Sequence, residues 1–137
     1  MLFRSQLGVR TVERRVPFAA RLDYVINPQA VPAPSPFPGH RNSTTAFLSR
    51  VAVGDVHARD RVEASYTFEV VDPDAVVGAY TSDDWWYHSA AVGHCVSVAG
   101  GVGHGVVARL SGYLQRRSDS AMWSERVLLD VTWEMSE

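Results

Sequence analysis

No lysine occurs among the 137 residues, and all 13 basic side chains are arginine. That absence removes Schiff-base chemistry and the phosphate-loop lysine. Cysteine is almost as scarce. Cys95 stands alone, so neither an internal disulfide framework nor a thiolate-rich structural zinc site can be built. No run approaches the roughly 18 consecutive apolar residues of a membrane-spanning helix. The opening residues also lack a basic start followed by an apolar signal core. The expectation is a soluble, unsecreted, ordered protein with no membrane partner. With 46% hydrophobic residues and a net charge of -2, the chain fits one domain over 1–137, too close to neutral for a general nucleic-acid binder.

The charge is nevertheless divided. Residues 1–50 hold seven arginines against Glu13 and Asp23, or +5, while residues 51–137 hold six arginines against thirteen acids, or -7. Complementary potentials of this kind can set the register between copies of one chain. Within the basic part lies a proline-rich arm or loop at 27–45, with Pro28, Pro32, Pro34, Pro36 and Pro38. Proline at that density favours an extended segment that cannot join a sheet, and a disordered connection and a partner-contacting arm fit it equally. The Asn42-Ser43-Thr44 glycosylation pattern is taken as chance.

Alternation of apolar and polar residues predicts strands over 15–26, 46–53 and 61–71, and a closing inner strand through Val127, Leu129, Val131 and Trp133. Pro17 makes the first of these begin there or lie at a sheet edge. Ser82-Asp83-Asp84 reads as a helix start, and Trp85, Trp86, Tyr87, Ala90, Ala91, Val92, Cys95, Val96 and Val98 surround a helix ending at Gly100-Gly101. Val106, Val107, Leu110, Tyr113 and Leu114 suggest a second helix to Arg117. The predicted fold is α+β, in the order strand, strand, strand, helix, helix, strand, with two helices on one face of a mainly antiparallel sheet.

Chemistry is thin. His88 and His94 would point apart on a helix, and His94 does not face Cys95 there, so no metal site and no catalytic pair is expected. Gly101-Val102-Gly103-His104-Gly105 lacks the preceding strand of a phosphate loop. His57 with Asp60, or Asp83 with Asp84, has no third group to fix its geometry. No catalytic residue and no cofactor is assigned. Trp85, Trp86, Trp123 and Trp133 are assigned to core or interface. The alternative is a small ligand-binding or cyclase-like enzyme with Trp85, Trp86 and Trp123 around an apolar pocket.

One segment carries a family resemblance. Arg116-Arg117-Ser118-Asp119-Ser120-Ala121-Met122-Trp123-Ser124, leading into 127–135, resembles the closing segment of tail terminator proteins of long-tailed bacteriophages. The resemblance implies a small α+β virion subunit, assembled in the host cytoplasm, that forms a homo-oligomeric ring, taken as a hexamer. Such a ring caps the tail tube, joins it to a head-completion or connector protein, and lets DNA pass. The family opens with a helix, where this chain opens with strand pattern. The subunit contacts expected here are Arg14, Arg15 and Arg21 with Pro32, Pro34 and Pro36 of the arm.

Overall fold

The computed structural model describes residues 3–11, 16–28, 44–56, 62–73, 75, 85–103 and 105–133. They form seven strands, β1 (Phe3–Thr11), β2 (Phe18–Ile26), β3 (Thr45–Gly54), β4 (Val62–Val71), β5 (Ala91–Gly103), β6 (Val106–Arg117) and β7 (Ser124–Trp133). Each pairs antiparallel with the next, so one meandering sheet runs from β1 to β7 in chain order.

The predicted α+β class is therefore corrected to all-β, with no helix among the described residues. The segment read as a first helix is bends at 85–90 followed by β5, and the segment read as a second is β6. Ser82, Asp83 and Asp84 lie outside the described residues. In β5 the large residues Val92, Val96 and Val98 alternate with Gly93, Cys95, Ser97 and Ala99. The contrast is large against small rather than apolar against polar, and valine favours the pleated surface. The strands expected at 15–26, 46–53 and 61–71 match β2, β3 and β4. β2 starts just after Pro17, yet it lies inside the sheet, because β1 covers its other side. β7, expected as an inner strand, is an edge. The glycines read as a break between helices belong to the β5–β6 hairpin, where the register shifts between Gly101 and Gly103 and Gly105 has φ 74°.

The register sorts side chains onto two faces. One row runs Leu7, Leu22, Ser49, Phe68, His94, Leu114, Glu125, and the next Val9, Ala20, Val51, Tyr66, Val96, Gly112, Val127. A row of the opposite face runs Arg10, Ala19, Ala52, Ser65, Ser97, Ser111, Leu128. In a flat sheet β2 and β7 would stand about 24 Å apart. Instead Arg21 and Asp23 of β2 and Asp130 of β7 line one cleft of about 220 Å³ on the polar face. The sheet is curled, with the polar face concave and the apolar face convex.

Burial follows the curl. Among the described residues the buried apolar set is Ala46, Ala52, Val56, Val71, Ala75, Ala91, Cys95 and Ala99, with Trp85 the only large member. A Cβ on Gly93 would overlap the Trp85 ring. Gly93→Ala should therefore lift Trp85 and destabilise the protein by roughly 1–3 kcal/mol. Chemical denaturation followed by tryptophan fluorescence checks this, and an unchanged midpoint would refute it.

Candidate functional site

The concave face is floored by small side chains, which bring long ones from distant strands together. Arg109 of β6 reaches across Ala99 of β5 to Glu63 of β4 at 3.8 Å, and Arg50 of β3 meets the same carboxylate at 3.1 Å. Arg21 pairs with Asp23 at 2.7 Å. Ser65 and Ser97 share a hydrogen bond of 2.7 Å, and Ser111 is buried in the same row. At the end of this face nearest the 85–90 segment, the Gln115 amide acts as a clamp. Its Oε1 accepts from the Tyr87 N–H at 2.8 Å, and its Nε2 donates to the Tyr87 carbonyl at 2.7 Å. The clamp holds Trp85 over Gly93, edge-on to Tyr113 with ring centroids 5.2 Å apart.

Glu69 stands directly opposite Gly93 in β5. It is only 6% exposed, and its Oε1 has no hydrogen-bond partner. Burial alone raises its pKa from 4.5 to about 7.

The convex face is chemically the opposite. Eighteen of its large hydrophobic side chains, from Leu7 and Val9 on β1 to Leu129, Val131 and Trp133 on β7, are between 36 and 71% exposed. The exposed area is on the order of 1,500 Å², several times the largest apolar patch of an ordinary soluble monomer. Its aromatic side chains carry a polar contact. Tyr66 Oη lies 2.8 Å from His94 Nδ1, and His94 packs against Phe68 and Trp123 with centroids 5.2 and 5.8 Å away.

The residues singled out from the sequence scatter over this frame. Arg14, Arg15, Pro32, Pro34 and Pro36 lie outside the described residues, as does His57. Arg21 lies on the concave face. Trp85 packs on that face beside Gly93 and Tyr113, whereas Trp123 lies on the other, against His94 and 5.1 Å from the Arg116 guanidinium. Trp86 is exposed, with Arg126 5.8 Å from its ring, and Trp133 is exposed at the end of β7. Trp85 and Trp123 thus share no pocket. His94 and Cys95 point to opposite faces, which separates that pair more completely than a helix would. Among the described residues no cluster of three His, Cys, Asp or Glu is placed to hold a metal. Sequence reading missed Glu69 and Gln115, which look like ordinary outward-facing polar positions. Only the curl of the sheet and the Trp85 segment bury them.

No family model, curated protein or solved structure matches this chain.

Because the folded Glu69 pKa lies above its unfolded value, the folded state binds more protons between those values. Stability contributed by the neutral acid is therefore complete below about pH 4.5 and lost as pH rises through about 7. Glu69→Gln should be more stable than wild type above pH 7, by up to roughly 3 kcal/mol, and should flatten the pH dependence. Urea denaturation at pH 5 and pH 8 measures both, and equal pH slopes for the two proteins would refute the assignment.

Proposed function

We propose that this protein is a non-enzymatic assembly subunit, one curved segment of a closed wall in which copies join edge to edge, β7 of one to β1 of the next. The observation that carries this reading is the bulky apolar convex face set against a core, among the described residues, of five alanines, two valines, Cys95 and Trp85. Such a sheet cannot gain enough from its own burial, because a sheet needs its apolar face covered by something.

Two further observations support edge-to-edge joining. Among the described residues neither β1 nor β7 has an outer partner strand, so both are edges of the sheet, where another strand can add. β1 contains two arginines and no acid, while β7 contains Glu125 and Asp130 against Arg126, so +2 faces -1. Pairing β1 with another β1 would set basic strands side by side. Pairing it with β7 does not. A stagger of about two residues, of the kind barrel closure imposes, brings Arg10 opposite Asp130.

The narrower reading as a tail terminator ring rests on the sequence of residues 116–135, of which 116–133 form the end of β6, the turn at 118–123 and β7. In that form the ring caps a tail tube and faces a connector, and purified tubes are the probe that distinguishes it.

Light scattering with negative-stain imaging should give closed rings. On a Cys95→Ser background, Leu7→Cys with Val127→Cys should form disulfide-linked ladders of copies, while either single variant gives none. A monomer at every concentration, or dimers from Val127→Cys alone, would refute the head-to-tail arrangement. Arg10→Glu should raise the concentration for half-assembly by up to about fivefold per interface, equivalent to roughly 1 kcal/mol.

A further inference from the structure

We infer that the convex face of this wall is seated in the hydrocarbon of a lipid bilayer, with the polar concave face turned to a water-filled lumen. The inference rests on the edge-to-edge assembly proposed above, because an open sheet edge cannot stand in hydrocarbon.

The occupant follows from shape and composition together. Two convex surfaces meet only along a strip, so a second copy laid face to face leaves most of this face in water. A fluid of hydrocarbon tails can cover a curved belt from end to end. Apolar residues outward and polar residues inward along a simple meander is the side-chain arrangement of a sheet that crosses a bilayer. The absence of a helix long and apolar enough to cross a membrane does not bear on spanning by strands.

The dimensions agree. The strands are 9 to 13 residues long. Ten residues span about 33 Å along the strand, or about 25 Å when tilted near 40°, the height of the apolar band in such sheets. Among the described convex side chains only Arg116 and Glu125 are charged, and both sit at one rim. The connections agree too. Those at 12–17, 55–61 and 104–105 share one rim and are all short, while of the three at the other rim those at 27–44 and 72–90 are long and that at 118–123 is short. That asymmetry is the usual one for bilayer-spanning sheets.

The test places an environment-sensitive fluorophore at single cysteines along β7, from Arg126 to Val131, in the full chain with Cys95→Ser. Samples are compared in buffer and with phosphatidylcholine–phosphatidylglycerol vesicles, some carrying lipid-attached nitroxides. The expected result is a period of two. Labels at 127, 129 and 131 shift to shorter wavelength and are quenched severalfold more by the nitroxide than labels at 126, 128 and 130. Rings that form in buffer and never bind vesicles, including rings that bind tail tubes, would overturn the lipid seat and leave the assembly standing. A blue shift at 127, 129 and 131 in buffer alone would also overturn it, by showing a face-to-face dimer. A monomer in both samples, with no period, would overturn the assembly itself.

Discussion

The structure depends on one constraint: a seven-stranded sheet carrying its bulk on one face must have that face covered. Here most of the exposed valines, leucines and aromatics project from the convex side, whereas the concave side has a floor of alanine, serine, glycine and cysteine, over which a few long polar side chains and Trp85 lie. A sheet curls more easily toward its smaller side chains, because they can crowd. The concave polar face and the exposed apolar face are thus two consequences of one size alternation. They are not independent features.

The concave face shows what such a floor permits. Ala99 is short enough for Arg109 to pass over it to Glu63, and Gly93 is bare enough for Trp85 to lie on it. These contacts order the interior without supplying much net stability. The Arg21 side chain is 46% exposed, and the Arg50–Glu63 and Arg109–Glu63 pairs are partly open to water. Pairs of that kind contribute about 0–1 kcal/mol each. Glu69 works against folding whenever it is charged. The interior is therefore shaped by specific polar contacts that add little net stability.

How much of this was legible in the chain depended on what each strand alternates. In β4, Val62, Tyr66, Phe68 and Val70 alternate with Glu63, Ser65, Thr67 and Glu69, and polarity alone reveals the strand. In β5 the inward residues are Ala91, Gly93, Cys95, Ser97 and Ala99. Three of those count as small apolar residues on a helical wheel, so the strand passes for a helix that is apolar all round. β6 has the period of two, but Val106, Val107, Leu110, Tyr113 and Leu114 also fit helical spacing, and a short segment cannot decide between them. β1 escaped because Leu7 and Val9 are a faint signal among Arg4, Gln6, Gly8 and Arg10. The candidate site was less legible still. That Trp85 and Trp123 lie on opposite faces, and that Glu69 is buried, are facts about curvature, which no local pattern encodes.

Strand parity ties the edges to the apolar face. Six successive antiparallel pairings leave β1 and β7 pointing the same way. Copies joined β7 to β1 around an axis along the strands therefore all point the same way, and their two faces continue without interruption. Joining like edges instead would invert every second copy and mix long connections with short ones at each rim. The odd strand number thus favours an assembly in which both long connections of every copy fall on the same rim. A wall with a continuous apolar belt and two unlike rims suits a setting that is itself layered, apolar in the middle and wet on both sides. The requirement for paired edges and the requirement for a covered face are met by the same arrangement.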